Sequence, residues 1–206
     1  MEHNVKNEAL ELAKEAFEIE ARVLAETGGG MDWDAFSRAV KLLSAAERIA
    51  TSGCGHSGIA CRHFAHSMCC IERPARFLSP SEAVHGGTGF LQKGDVLVVA
   101  SRGGKTAELM PIIEIAKKKA AFVISVTENL ESPMAQLSDV TLPIKVYREV
   151  DRYNAQGTSS FAAVSVVFDA LQIAVMEETG YRGEQFALIH PGGAVGERLN
   201  KEVKNG

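Results

Sequence analysis

The chain has 206 residues, of which 46% are hydrophobic and 23% charged, and its formal net charge is −4. This length and composition are typical of an ordinary globular protein with a sizeable buried core. The slight excess of acid gives no reason to expect nucleic acid or an anionic membrane as a partner.

Nothing in the sequence suggests an exported or membrane protein. Glu and Lys occur throughout residues 1–20, and polar residues interrupt the most apolar segment, 161–176. We therefore predict a cytoplasmic protein in which residues 161–176 form a buried helix. Its cysteines are expected to be thiols.

Hydrophobic periodicity predicts two helices at the start of the chain, over residues 5–27 and 32–47. The first has a narrow apolar stripe, which we expect to pack on its own domain or on a second subunit. The stripe comprises Leu10, Ala13, Phe17, Ala21 and Leu24.

Five predicted strands follow, at 48–52, 75–79, 96–100, 121–126 and 140–146. Helices lie between them, and a long helix capped by Thr158 or Ser159 ends at Gly180. This alternation predicts an α/β fold, a three-layer sandwich with a five-stranded, mostly parallel sheet between helices. We expect a single domain over residues 1–206, with 1–47 as its N-terminal helices.

The third predicted strand leads into the most informative turn. Residues 96–100 are apolar at every position, as in a strand that is covered on both faces. Residues 101–106, Ser-Arg-Gly-Gly-Lys-Thr, then supply hydroxyls, glycines and two cations where a parallel sheet presents its ligand site. This combination favours an anion, most simply a phosphate. A nucleotide-binding P-loop is disfavoured because Val99 stands where its first glycine is needed.

Residues 53–58 match the G-x-G-x-x-G spacing of dinucleotide-binding turns, after a strand and before a helix. However, Glu72 precedes the second strand, whereas a ribose-binding acid would end it. A glycine turn that serves another ligand is therefore preferred to a nicotinamide site.

A cluster of Cys and His residues on the helix that follows suggests a metal. The candidate ligands, which we call the Cys/His face, are Cys61, His63, His66 and Cys70. His63, His66 and Cys70 fall at i, i+3 and i+7 and so lie on one side of the helix. Because no second group of ligands completes a tetrahedral set, we predict no metal site.

Four titratable residues lie beside glycines or at the ends of elements, where side chains are displayed and not packed. They are His85, Glu108, Glu149 and His190. Together with a phosphate loop, they indicate acid/base chemistry on a small phosphorylated substrate.

The order of six motifs resembles the sugar isomerase (SIS) domain family, and within it the arabinose 5-phosphate isomerase branch. The motifs are Gly-x-Gly-x-Ser-Gly (53–58), Ser-Glu-Ala-x-His-Gly (81–86), Gly-Asp-Val (94–96), the turn 101–106, Thr-Ser-Ser (158–160) and His-Pro-Gly-Gly-Ala-x-Gly (190–196). The resemblance implies a five-stranded parallel sheet. It also implies a homotetramer or dimer of dimers with sites at subunit contacts, in a short form without the C-terminal regulatory module pair.

The resemblance also implies roles for individual residues. Glu108 and Glu149 match the acid/base glutamates, and His85 and His190 match two histidines of the site. The implied substrate-binding positions are Gly55, His56, Ser57, Ser101, Arg102, Gly103, Lys105, Thr106, Thr158 and Ser159.

Two positions depart from the family pattern. His56 replaces a lysine, and the loop usually reads Ser-Asn-Ser-Gly-Glu-Ser instead of Ser-Arg-Gly-Gly-Lys-Thr. We therefore expect a more cationic phosphate site, and we expect any change of substrate preference to originate at Arg102, Gly103 and Lys105.

The implied reaction converts D-arabinose 5-phosphate to D-ribulose 5-phosphate through an enediol, with neither metal nor organic cofactor. Glu149 is the expected base, provided that burial raises its pKa. Glu108 is the second acid/base group, and His190 protonates the ring oxygen or polarises the carbonyl. The alternatives are a non-catalytic sugar-phosphate sensor and an isomerase of a hexulose or aminosugar phosphate.

Overall fold

A computed structural model describes residues 6–205, with side chains for 6–199. Residue 5, where we predicted the first helix to begin, lies outside this range. The helices are α1 (Asn7–Gly29), α2 (Trp33–Ala45), α3 (Gly55–Cys70), α4 (Pro80–Ala83), α5 (Met110–Lys118), α6 (Pro133–Leu137), α7 (Ser159–Thr179), α8 (Gly183–Ile189) and α9 (Gly193–Asn205). The strands are β1 (Ile49–Gly53), β2 (Ala75–Phe77), β3 (Val96–Ala100), β4 (Phe122–Thr127) and β5 (Val140–Pro143). Single 3₁₀ turns span Gly87–Phe90 and Ala107–Leu109.

The five strands form one sheet in the order β2-β1-β3-β4-β5, and every pair is parallel. The predicted fold class is confirmed. The predicted β5 was too long, since this strand ends at Pro143 and not at residue 146.

The core has two parts, one on each face of the sheet. Val96, Val98 and Ala100 of β3 belong to the part that includes α2, α3 and α7. Leu97 and Val99 belong to the part that includes α5. Because successive side chains of a strand point to opposite faces, a strand covered on both sides must be apolar throughout.

Helix α7 is long and apolar enough, by length and composition alone, to cross a membrane. In this structure it packs against α1, α2 and α3, and its Phe168 ring stacks on Phe64 with centroids 4.4 Å apart. Such packing is typical of the core helix of a globular protein. Its outer face nevertheless exposes apolar side chains, and Ile173 is 64% exposed.

Helix α1 packs on α7 through a different stripe from the one that we predicted. Ile19 and Val23 are buried, whereas Leu10 and Phe17 are exposed, Phe17 by 80%. The N-terminal half of the predicted stripe is therefore exposed, and no other described residue of this chain covers it.

The strand order reverses direction between β1 and β3. In open α/β sheets the crevice at such a switch point, beyond the carboxyl ends of the strands, is where ligands bind. The turn 53–58 follows β1 and the turn 101–106 follows β3, so both lie at this crevice.

Candidate active site

A cleft of about 410 Å³ opens beside the switch point. It is lined by the start of α3, the segment after β2 and the 3₁₀ turn after β3. The lining residues are Gly53, Cys54, Gly55, Gly58, Ile59, Arg62, Phe77, Ser79, Pro80, Ser81 and Glu108.

The glycine turn brings β1 and α3 unusually close together. A Cβ on Gly58 would stand 2.5 Å from the carbonyl oxygen of Gly53, so no larger residue fits without a backbone shift. These glycines therefore serve close strand–helix packing, while the first turn of α3 faces the cleft.

Sequence reasoning missed Arg62, whose guanidinium lies over the Phe77 ring at 4.2 Å. Helical spacing was a usable signal: Gly55, Ile59 and Arg62 stand at i, i+4 and i+7, and so share the cleft-lining face.

The loop 101–106 is held in a tight turn by its own hydroxyls. Ser101 Oγ lies 2.8 Å from Thr106 Oγ1 and accepts the Gly104 N–H at 3.1 Å. Gly104 has φ +63°, and a Cβ there would collide with Ser132. Lys105 is exposed and makes no ion pair with the described side chains, so the loop presents its ammonium to solvent.

Arg102, by contrast, turns into the protein. Its Nε donates to Glu128 Oε2 at 2.9 Å, Nη1 to Glu149 Oε1 at 2.8 Å, and Nη2 to the Val146 carbonyl at 2.9 Å. Glu128 Oε1 in turn accepts the Val146 N–H at 3.0 Å. All three guanidinium nitrogens therefore have protein acceptors, although we predicted this side chain to bind substrate.

Glu149 is only 3% exposed, and its second carboxylate oxygen caps α7. Oε2 accepts from the Thr158 N–H at 2.9 Å, the Thr158 hydroxyl at 3.0 Å and the Ser160 N–H at 3.1 Å. The predicted capping residue, Thr158, thus donates its hydroxyl to Glu149 instead of capping the helix.

The pKa of Glu149 is lowered, contrary to our expectation. Burial by itself raises this pKa, but the hydrogen bonds from Ser160 and Thr158, together with the charge of Arg102, outweigh it. The condition that we attached to Glu149 as the base is therefore not met within this chain.

Glu108 lies in a different environment, exposed on the cleft wall. Burial, and then the nearby charge of Glu108, raise the pKa of the Cys54 thiol, so these side chains face the same space. His85 follows α4, which packs against the 3₁₀ turn carrying Glu108. Glu108 and His85 therefore lie at the same edge of the sheet.

His56, on the turn beside the cleft, packs against the segment that follows Glu149. A Cβ on Gly157 would stand 3.0 Å from the His56 ring, and the Phe161 ring lies 6.3 Å from it. Thr158 and Ser159, at the start of α7, are thus brought to the same edge as the turn that contains Ser57.

The position of His190 is set by α8, which it directly follows. Nearby α8 is anchored at the far end of α3, because Gln185 bonds Glu72 and the Tyr181 hydroxyl donates to the Cys70 carbonyl at 2.7 Å. His190 is not among the residues that line the cleft.

The Cys/His face of α3 is divided in the structure. Cys61 is buried and its Sγ donates to the Ser52 carbonyl at 3.2 Å, while burial raises its pKa to about 12. His66 lies 3.6 Å from Cys70, and His63 lies 3.9 Å from Asp169. Across the described side chains, no group of three or more His, Cys, Asp or Glu residues is arranged to hold a metal ion.

Comparison with known proteins identifies the family. The SIS domain model matches residues 42–174, which include all five strands, both glycine-containing turns and the start of α7. The chain belongs to the SIS domain family.

Two curated proteins named arabinose 5-phosphate isomerase KdsD are among the relatives of this SIS domain. The one from Pseudomonas aeruginosa is 38% identical over 84% of this chain and 53% of its own length. The one from Escherichia coli K12 is 33% identical over 93% of this chain and 58% of its own length. The chain therefore spans little more than half the length of these relatives.

Solved SIS structures match nearly the whole chain. A candidate sugar-phosphate isomerase from Listeria monocytogenes is 38% identical with a TM-score of 0.88, covering 92% of this chain and 100% of its own. The Escherichia coli CFT073 protein c3406, solved in complex with arabinose 5-phosphate, is 29% identical with a TM-score of 0.84, covering 91% and 100%.

The last glycine of the His-Pro-Gly-Gly-Ala-x-Gly motif (190–196) is required by the structure. A Cβ on Gly196 would stand 2.2 Å from the His190 carbonyl oxygen. The glycine lets α9 fold back onto the turn that presents His190.

Proposed function

We propose that this chain is a phosphosugar aldose–ketose isomerase that converts D-arabinose 5-phosphate to D-ribulose 5-phosphate. The observation that carries the proposal is the cleft at the switch point, where an exposed carboxylate, Glu108, faces a glycine turn beside a hydroxyl-lined loop with an exposed lysine. The names of the curated relatives support the substrate.

The reaction needs one proton to leave C2 of the aldose and one to arrive at C1, while the C1 carbonyl oxygen gains a proton and the C2 hydroxyl loses one. Side-chain acids and bases suffice for this exchange through an enediol, so no metal or organic cofactor enters the proposal. Glu108 and Glu149 are the proposed carboxylates of the site, and Glu108, which faces the cleft, is the proposed acid/base group. His85 and His190 are the proposed partners for the sugar oxygens.

The phosphate is proposed to sit against the turns after β1 and β3. Hydroxyls, glycine amides and one or two cations form such anion sites, and the energy of binding the phosphate orients the reacting carbons. The proposed contributors are Gly55, His56, Ser57, Ser101, Gly103, Lys105, Thr106, Thr158 and Ser159.

We further propose that residues 1–206 act as one SIS domain within a homotetramer or dimer of dimers, and that a second subunit supplies His190 to the cleft. His190 is not among the residues that line the cleft of its own chain, and α7 exposes an apolar face next to a groove of about 680 Å³. Residues of this face include Val166, Ala170 and Ile173. The exposed stripe of α1 offers a second apolar contact.

The activity is tested by NMR with pentose and hexose phosphates in deuterated water. Isomerisation of D-arabinose 5-phosphate, with deuterium entering C1 or C2, is the expected result. Turnover of a hexulose or aminosugar phosphate alone would contradict the proposed substrate but keep the reaction class.

If a second subunit supplies His190 to each site, oligomers of two different variants provide a separate test. Glu108→Gln and His190→Ala are each expected to lose activity, because every site then lacks one group. Co-expressed in equal amounts, the two variants should recover about one quarter of wild-type activity, since half of the subunit pairs are mixed and one of the two sites in each mixed pair is intact. If both single variants are inactive, no recovery in a purified mixed oligomer would show that His190 acts within its own chain. An active His190→Ala protein would show that His190 takes no part.

A non-catalytic sugar-phosphate sensor is the second candidate, and the capped, ion-paired state of Glu149 favours it. A sensor would bind D-arabinose 5-phosphate, with a rise in melting temperature, but would exchange no deuterium on any sugar of the panel.

A further inference from the structure

Arg102 joins three segments that are distant in sequence. It lies in the loop after β3, while its acceptors Glu128, Val146 and Glu149 follow β4 and β5. Its backbone carbonyl also accepts from the Thr127 hydroxyl at 2.9 Å. Backbone and side chain together fix the guanidinium between two carboxylates.

We propose that Arg102 is a positioning residue that gives the two carboxylates of the site different tasks: it holds Glu149 as a fixed anion that shapes the site, and leaves proton transfer to Glu108. This inference rests on the proposed isomerase function and concerns the division of labour within it.

The contacts of Glu149 leave it little capacity to take up a proton. One oxygen accepts from Arg102, and the other accepts three hydrogen bonds at the start of α7. A protonated carboxyl would have to give up part of this set, and Arg102 Nη1 would lose its charged acceptor. Hydrogen bonds to the charged form of a carboxylate favour that form.

Other charged groups around Glu149 are directed elsewhere. Glu128 shares the Arg102 guanidinium. Arg148 Nε donates to the Glu149 backbone carbonyl at 3.2 Å, while its Nη1 pairs with Glu15 of α1 at 3.1 Å. The Asp151 carboxylate accepts the N–H groups of 153, 155 and 156, and His56 lies beyond Gly157. Arg102 is thus the cation that contacts the Glu149 carboxylate among the described residues.

Glu108 has the opposite surroundings. It is exposed on the wall of the cleft, and no described side chain forms an ion pair with it. A carboxylate that must accept and return a substrate proton needs such access. The fork geometry of arginine, which a lysine cannot reproduce, makes Arg102 the residue that separates the two roles.

The test compares Arg102→Met with Arg148→Met, a matched change at a neighbouring arginine of similar exposure. Each full-length protein is labelled with 13C-glutamate and titrated by NMR, with the Glu149 signal assigned from its loss in Glu149→Gln. Arg102→Met is expected to move the titration midpoint of Glu149 to higher pH, because the charge of Arg102 then no longer opposes the effect of burial on its pKa. Arg148→Met should leave it unchanged.

Activity provides the second readout, on whichever sugar phosphate the wild type turns over. Arg102→Met is expected to lower kcat about 10²-fold through misplacement of Glu149, with little change in KM, and to move the acid limb of the pH profile upward. Arg102→Lys, which keeps the charge and guards against a folding failure, should recover part of kcat.

An unchanged Glu149 midpoint in Arg102→Met would overturn the proposal. So would a loss confined to KM, since that would place Arg102 in substrate binding. If the wild type isomerises no sugar phosphate, the proposed function fails and the catalytic part of this inference with it, whereas the NMR titration still decides whether Arg102 holds Glu149 ionised.

Discussion

Glu108→Gln is expected to lower the isomerisation rate about 10²–10⁴-fold, the usual cost of losing one acid/base group. The amide keeps the shape of the side chain but can neither accept nor return a proton. Because Glu108 is exposed, the unfolding free energy should change little. Turnover and deuterium exchange are followed by NMR on the same samples.

Glu114→Gln is the matched control, since Glu114 is also exposed but lies on α5, away from the cleft lining. It should retain wild-type exchange. Near wild-type exchange in Glu108→Gln would remove Glu108 from the mechanism and return the role of base to Glu149.

Glu149→Ala is expected to lower the free energy of unfolding by about 2–5 kcal/mol, because it removes a helix cap (about 0.5–2 kcal/mol) and a charge-assisted hydrogen bond (about 1.5–3 kcal/mol). The change takes away the acceptor of Arg102 Nη1 and the carboxylate oxygen that caps α7. Urea unfolding at one fixed protein concentration measures the loss, so that any contribution from the proposed association is the same for both proteins.

The same variant should change the dependence of stability on pH. The pKa of Glu149 is lowered in the folded state, so its ionised form stabilises the fold fully above the ordinary glutamate value of about 4.3. That contribution is lost as the pH falls through the lowered folded-state pKa. The wild type should therefore lose more stability than Glu149→Ala between neutral and strongly acidic pH.

Glu15→Ala is the control for a simple surface ion pair, since Glu15 pairs with Arg148 while both side chains are partly exposed. Its cost should stay within about 1 kcal/mol. An equally small cost for Glu149→Ala would mean that the contacts of Glu149 with Arg102 and α7 contribute little to the fold.

The sheet, its covering helices and the location of the ligand crevice were predictable from the sequence. An apolar run such as 96–100, followed by a glycine-containing turn and a helical period, is a local pattern, and parallel strands bring the ends of all such runs to one edge. Asp32 and Ser132 have residue types that favour helix caps, and each accepts from the N–H three residues on.

Which charges meet was decided only by the tertiary structure. Arg102, Glu128 and Glu149 are separated by 26 and 21 positions, and no local rule relates the direction of a loop arginine to a carboxylate beyond β5. We predicted Arg102 to bind the substrate, and a pKa raised by burial was our condition for Glu149 as the base. Both expectations treated each side chain by itself, whereas packing placed the carboxylate between the guanidinium and the first amides of α7.

The position of His190 likewise depends on the tertiary structure. Its motif was recognisable from the sequence, but the anchoring of α8 by Tyr181 and Gln185 at the far end of α3 depends on contacts across more than 100 residues. The sequence by itself thus determined the elements, their order and the chemical groups available, because these follow from short-range periodicity and residue type. The tertiary structure alone decided which of those groups share a site and in what state of charge, because long-range packing sets distance, burial and hydrogen bonding.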